Sequence, residues 1–242
     1  MERRFFIDEN KIKNAQVEIT GEQYHYVVHV LRLTRGEKIV LIGQKYQFKA
    51  VIAEVTKAKL VAKISSKKLI PISPLKIDLF QGLPKSSKFE FIIEKSTELG
   101  VDQIYPLLTE RTVVTLEPAK TAKKLSRWQK IALEAARQSR RLSVPEVKPP
   151  LPFKELLEKL SSYSLSLVFW EESTSWLNEQ QLKPLKEGRL AIIIGPEGGF
   201  SQQEVEQLKK VGALEVSLGP RILRTETAPL AALAVINFLL KR

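Results

Sequence analysis

The chain has 242 residues, enough for one large domain or two smaller ones. Its 43% hydrophobic content supports a packed core, and a net charge of +12 favours an anionic partner, of which nucleic acid is the usual one. It contains no cysteine, which excludes disulfides, thiolate metal sites and thiol catalysis and fits a reducing cytosol.

The start, Met1-Glu-Arg-Arg-Phe-Phe6, lacks the apolar run of a signal peptide. Short, partly alternating segments at Arg4–Ile7, Gln16–Ile19, Lys38–Ile42, Tyr46–Val55 and Leu60–Ile64 predict strands, with one helix at Glu22–Leu31 among them. Several short strands with few helices suggest a small β-barrel over residues 1–70. His25 and His29 stand four apart on the helix without a third ligand cluster, so no metal site is expected and a surface or RNA-facing role fits them better. Two prolines and a charge pair in Lys67–Pro74 mark a linker, placed at 71–75.

From there the pattern changes. Apolar strands at Lys76–Gln81, Gln103–Leu108, Leu165–Trp170, Leu190–Ile194 and Leu214–Leu218 alternate with helices at Ser87–Leu99, Lys120–Arg141, Pro152–Leu160, Gln202–Val211 and Pro229–Leu240. Such alternation, with nearly continuous apolar strands, predicts an α/β domain over 76–242 whose parallel sheet is covered on both faces. Ser87 with Glu90, and Ser201 with Glu204, have capping-box spacing, and Gly100 closes the first of those helices. The longest apolar stretch, Pro229–Leu240, is too short to span a bilayer and reads as a buried helix. Residues 1–70 hold 14 Lys/Arg against 7 Asp/Glu, and 120–141 carry eight basic side chains against Glu134 alone. A basic barrel beside an α/β domain with a basic helix suggests two surfaces for one polyanion, gripped by phosphate contacts.

Two strands run into Gly-Pro loops. Ile192-Ile-Ile-Gly-Pro-Glu-Gly-Gly-Phe-Ser201 reads strand, tight loop, helix N-terminus, and its free N–H groups can bind a polar ligand. It is neither a Walker A loop, since no Gly-Lys-Ser/Thr follows, nor a dinucleotide fingerprint. Leu218-Gly-Pro-Arg-Ile-Leu-Arg-Thr-Glu-Thr-Ala-Pro229 follows the last strand, with Thr227 as the expected N-cap of the next helix. Ligands of parallel sheets sit beyond the carboxyl ends of strands, so the two loops could wall one pocket, with Arg221, Arg224 and Glu226 near it.

These two loops resemble those of the RsmE family of 16S ribosomal RNA uridine-N3 methyltransferases, of the knotted SPOUT class. The likeness extends to Gln81-Gly-Leu-Pro-Lys85 with Lys88, Glu94–Val101, Glu110-Arg111, Trp128–Arg140, Arg4-Phe-Phe6, and His25–Arg32 with Gly36, and so covers nearly the whole chain. It implies a PUA-like RNA-binding barrel followed by a domain with a deep trefoil knot. The knot loops would bind S-adenosylmethionine mainly through backbone, at Phe169, Gly195, Glu197, Gly198, Leu218, Gly219, Ile222 and Leu223. RNA would be met by Arg4, His25, Arg32, Lys85, Lys88, Arg111, Arg137 and Arg140. The resemblance further implies a cytoplasmic homodimer packed partly through the C-terminal helix. The substrate it implies is N3 of uridine 1498, near the 3′ end of 16S rRNA, met within the assembled 30S subunit. Loss of the N3 proton leaves charge on uracil, which Arg224 or Arg221 would stabilise, with Glu226 a weaker candidate for proton acceptor. An RNA-binding ribosome-assembly factor with purely structural loops, or a knotted methyltransferase with another RNA target, are the alternatives.

Overall fold

In the computed structural model, which describes residues 3–114, 118–182 and 185–241, the chain divides into two units, Met1–Ile72 and Ser73–Arg242. Met1 and Glu2, part of the start read above, lie outside the described residues.

In the first unit β1 (Arg3–Phe6), β2 (Gln16–Ile19), β3 (Lys38–Ile42), β4 (Tyr46–Val55) and β5 (Leu60–Leu69) form a curled sheet in the order β1-β3-β4-β5-β2. All neighbours are antiparallel except β1 and β3. Period-2 alternation turns Phe5, Val17, Ile19, Ile39, Leu41, Phe48 and Ile52 into one core. β5 runs on to Leu69 rather than ending at Ile64. Its polar continuation, Ser65–Lys68, faces water, but its backbone stays paired with Tyr46–Lys49, so hydrogen bonding carries a strand that side-chain pattern could not reveal. The expected helix is α1 (Gly21–His25) followed by a π-wound turn at Tyr26–Val30, closed by Leu31 N–H to Tyr26 O at 2.9 Å.

The second unit is a parallel sheet. β6 (Leu75–Gly82), β7 (Gln103–Leu108), β8 (Glu146–Val147), β9 (Leu151–Pro152), β10 (Leu165–Phe169), β11 (Gly188–Ile194) and β12 (Leu214–Val216) are joined along β12-β10-β11-β6-β7-β8, with β9 also on β7. The two-residue β8 and β9 are too short to leave a sequence pattern. The helices are α2 (Ser86–Glu98), α3 (Pro118–Gln138), α4 (Phe153–Lys159), α5 (Glu179–Leu182), α6 (Gln202–Lys210) and α7 (Ala228–Leu240). Each central strand feeds two cores. Leu190, Ile192 and Ile194 of β11 pack with Phe89, Ile92, Trp128, Leu233 and Ile236 from α2, α3 and α7. Ala191 and Ile193 pack on the other face with Leu156, Val205 and Leu208 from α4 and α6. Burial of both faces is why β11 is an unbroken apolar run; each such large side chain contributes about 1.5–3 kcal/mol.

The Ser201–Glu204 capping box forms at the start of α6. The one expected at Ser87–Glu90 does not. α2 starts at Ser86 after Lys85 without a side-chain cap, and the Glu90 carboxylate instead accepts from Arg127 of α3 at 2.7 Å. With Lys85 at the N-cap, Ser87 is already inside the helix, so the box cannot form and Glu90 is left to pair across the α2–α3 contact. The helix still ends at Gly100, in the left-handed region at φ +94°. No helix among the described residues is long and apolar enough to cross a membrane. α7 buries Pro229, Ala232, Leu233 and Ile236.

A carboxylate is fully enclosed in the sheet. Asp78 of β6 accepts from Arg189 Nε at 2.9 Å and from the Tyr163 hydroxyl at 2.6 Å. Burial pushes its carboxyl up, against the opposing pull of Tyr163 and Arg189, and burial together with Asp78 pushes the Tyr163 hydroxyl up as well.

Candidate functional site

The parallel register brings Phe169, Ile194 and Gln81 side by side at the carboxyl ends of β10, β11 and β6, with Val216 of β12 beyond Phe169. Chain leaving these ends forms a cavity of about 360 Å³, within the usual range for a small-molecule site. Its walls are the loop 194–199, the loop 217–225 and the start of the segment after β10, closed by Lys88 of α2 and Ala228 of α7.

The two Gly-Pro loops are tied at one atom. The Gly195 carbonyl accepts from Thr225 Oγ1 at 2.8 Å and from Gln81 Nε2 at 3.2 Å, and Gln81 also donates to Thr225 Oγ1 at 3.0 Å. Both side chains are buried. Gly82 allows this approach, since a Cβ on it would lie 2.3 Å from Pro196 N. On the outer side, Glu204 of the capping box accepts the Ser201 N–H at 3.0 Å with one oxygen and the Glu110 N–H at 2.9 Å with the other. Arg111 Nη1 donates to the Gly198 carbonyl at 2.9 Å. The loop is therefore fixed from both sides before any ligand arrives.

The charges are arranged unequally. Lys88 Nζ stands 3.4 Å from Glu197 Oε1 and 3.5 Å from Glu226 Oε2. Burial pushes the Glu197 carboxyl up, but N–H groups of its own backbone and of Lys85, with the Lys88 ammonium, outweigh it and hold the group below the ordinary carboxylate range. Glu226 Oε2 is buried without a hydrogen-bond donor. Arg221 and Arg224 line the cavity, are exposed, and have no side-chain partner among the described residues. The pocket thus offers, on one loop, two guanidinium groups without a side-chain partner among the described residues, and in its wall a lysine flanked by two carboxylates.

Of the residues expected to hold a cofactor, Phe169, Gly195, Glu197, Leu218, Gly219, Ile222 and Leu223 line the cavity. Gly198 does not. It lies on the outer side of its loop, where a Cβ would meet Arg111 Cβ at 3.2 Å. Arg221 and Arg224 are in the lining, whereas Glu226 stands behind it on Lys88. Among the side chains expected to meet RNA, Lys88 is in the cavity wall, Lys85 is exposed at the start of α2, and Arg111 braces the Gly198 loop. Arg137 pairs with Glu134 of its own helix, and Arg140 is exposed just past α3 with a left-handed φ of +58°. In the first unit Arg4 is half-buried on β1, Arg32 is exposed at φ +55°, and His25 is exposed with its ring 4.9 Å from that of His29. Among the described residues, no group of three or more His, Asp or Glu could hold a metal. Sequence reasoning missed Trp170, Glu171, Ser217 and Thr225 in the lining. The first three follow strand ends, where the rule for parallel sheets pointed; Thr225 carried no signal, because its role exists only against Gly195.

An RNA methyltransferase domain model matches residues 71–237, and an RNA methyltransferase PUA domain model matches residues 19–65. The chain is 38% identical to the ribosomal RNA small subunit methyltransferase E of Bacillus subtilis, over 98% of this chain and 96% of that protein. It is 38% identical to the protein of the same name from Synechocystis, over 100% of this chain and 79% of that one. Among solved structures, it is similar to a ribosomal RNA small subunit methyltransferase E from Neisseria gonorrhoeae bound to S-adenosyl methionine, with TM-score 0.87, 33% identity and 99% and 98% of the two chains covered. It is also similar to a putative methyltransferase from Legionella pneumophila in complex with SAM, with TM-score 0.87, 34% identity and 98% of each chain covered.

Proposed function

From the premise that this chain belongs to the ribosomal RNA small subunit methyltransferase E family, we propose that it transfers a methyl group from S-adenosylmethionine to N3 of a uridine in 16S rRNA, uridine 1498 in the family numbering. The observation that carries this reading is the pair of arginines, Arg221 and Arg224, without a side-chain partner among the described residues, in the lining of a cavity that the braced Gly195 loop also walls. The cavity has the size usual for a small-molecule site, and its lining combines apolar side chains such as Phe169, Ile194, Leu218 and Leu223 with the loop glycines Gly195, Gly199 and Gly219, which suits an adenosyl group.

When bound, the sulfonium group supplies the methyl for an in-line displacement. The chain's own residues prepare the acceptor. A neutral imide nitrogen is a poor nucleophile, so the reaction needs the N3 proton gone and charge on the two uracil carbonyl oxygens held. Arg224, or Arg221 in its place, supplies a preorganised cationic donor for those oxygens, which lowers the cost of losing the proton. Glu226, enclosed against Lys88, is better placed to fix that ammonium than to accept the proton, so we give it a positioning role. Lys88 in turn holds Glu197, and with it the loop at Gly195.

The same reading assigns RNA binding to the first unit and to Arg4, His25, Arg32, Lys85, Arg137 and Arg140, a trefoil knot to the chain around 195–227, and the cytoplasm as its place. It makes the 30S subunit the substrate and a second copy of this chain the partner. The dimer is supported by apolar side chains left on the outer face of α7, with Val235 41% and Phe238 82% exposed. The test is incubation of purified protein with labelled S-adenosylmethionine and small subunits lacking the modification, followed by nucleoside mass analysis. The expected product is 3-methyluridine at one position. Label on a ribose, on another base, or on transfer RNA alone overturns the assignment.

A further inference from the structure

The most exposed ring beside the cavity has no role in the chemistry above. Trp176 is 62% exposed, although an indole left in water is an unfavourable use of an aromatic residue. Its backbone is pinned: Trp176 bridges Ser217 in parallel, and the Ser217 N–H donates to Ser175 O at 2.7 Å. Its benzo edge lies over Gly219, where a Cβ would meet Cη2 at 3.3 Å and Cζ3 at 3.8 Å. Gly219 is itself in the left-handed region, at φ +115°. Since Gly219 lines the cavity and Trp176 does not, glycine backbone stands between the indole and the cofactor space. On the same loop Ile222 is 84% exposed and Arg221 has no side-chain partner among the described residues.

A pinned aromatic face, an exposed aliphatic side chain and a free guanidinium match the chemistry that captures unpaired nucleotides: stacking for the base, a cation for its phosphate. A base modified at a ring nitrogen must also leave its helix, and an extruded strand exposes π-faces that need cover. We propose that Trp176 is a stacking platform for an unpaired base of the RNA substrate at the rim of the methyl-transfer pocket, with Arg221 on the adjoining phosphate. This rests on the reading that the protein methylates RNA. Trp176 is then a specificity residue for substrate, separate from the cofactor site.

Methyl transfer to unmodified small subunits distinguishes the possibilities. Trp176→Ala should raise KM for subunits about tenfold or more, with kcat and S-adenosylmethionine affinity unchanged. Trp176→Phe should recover most of that loss, while Trp176→Leu, which keeps apolar cover over Gly219 but has no π-face, should not. A uridine-rich oligoribonucleotide should quench the emission of wild-type protein more strongly than that of Trp176→Phe, whose remaining indoles are the buried Trp128 and the half-buried, cavity-lining Trp170. An unchanged KM in Trp176→Ala overturns the proposal. So does weaker cofactor binding with normal KM, which would make the indole a cover for the adenosyl group, or a loss of dimer in gel filtration, which would make it an interface residue. If the wild type methylates no subunit, the functional reading fails, while the oligoribonucleotide titration still decides whether the indole stacks bases.

Discussion

Adding one methyl group at Gly82 should disable the pocket without touching its lining. A Cβ there would lie 2.3 Å from Pro196 N, 2.5 Å from Pro196 Cδ and 2.6 Å from the Gly195 carbonyl carbon, where ordinary contact starts at 3.4 Å. Two of the obstructing atoms are backbone and the third, Pro196 Cδ, is bonded to the backbone nitrogen, so none can swing aside as a side-chain tip would. Relief requires moving the Gly195–Pro196 backbone by about an ångström, in a region packed at crystal-like density. That displacement opposes the Thr225 and Gln81 hydrogen bonds to Gly195 O. Overpacking of this kind costs about 1–3 kcal/mol. If the strain appears wholly as lost affinity, S-adenosylmethionine binding weakens roughly 5- to 150-fold, since about 1.4 kcal/mol is tenfold. Gly82→Ala needs no unusual φ, so the effect is steric alone. Gly195→Ala makes the internal comparison: its nearest backbone contacts are at 3.1 Å, and a shift of a few tenths of an ångström suffices. Calorimetric titration with the cofactor and thermal denaturation would be run on both. Wild-type affinity together with an unchanged Tm in Gly82→Ala would refute the reasoning, as would a larger loss in Gly195→Ala.

Arg224→Ala should lower kcat about a hundredfold while leaving cofactor affinity nearly intact, because it removes a donor needed only as charge develops; steady-state kinetics with small subunits would reveal a smaller effect as a failure of that role. Arg189→Met leaves the Asp78 carboxylate buried on Tyr163 alone. The cost should be about 3 kcal/mol, at the low end for a broken buried pair because the Arg189 side chain is itself 36% exposed, and adding Asp78→Leu should restore most of it in urea titrations. The Lys209 hydrogen bond at 2.8 Å holds the Glu215 carboxyl below its ordinary value of 4.5. A depressed folded-state value means stability that is present above the unfolded value and lost as pH falls through the folded one. Wild-type stability should therefore fall relative to Glu215→Gln as the solution is acidified below about pH 4.5, and salt should shrink the difference.

The sequence marked most strands and helices well because their signals are local. β2, β3, β4 and β7 lie where alternation or an apolar run placed them, and the two Gly-Pro loops stand at strand ends as expected. The exceptions had non-local causes. β5 extends to Leu69 through backbone pairing with β4, and Glu90 pairs with Arg127 on another helix rather than closing a cap. Charge likewise gave residue type without direction. Arg111, expected to face RNA, donates to Gly198 O, and Arg141 of the basic stretch donates to Thr97 O at 2.8 Å.

Near-neighbour rules alone therefore determined that the Gly195–Ser201 loop leads into a capped helix. Ser201 and Glu204 are within one turn, and no tertiary contact is needed to see them. Which side of that loop faces a ligand was decided only by folding. An irregular loop has no period to orient its residues, so Gly195 and Glu197 line the cavity while Gly198 turns outward to Arg111. The atom that sets this orientation, Gly195 O, is held by Thr225, 30 residues away, and by Gln81, 114 residues away. Contacts of that separation exist only when the parallel strands have brought their carboxyl ends together.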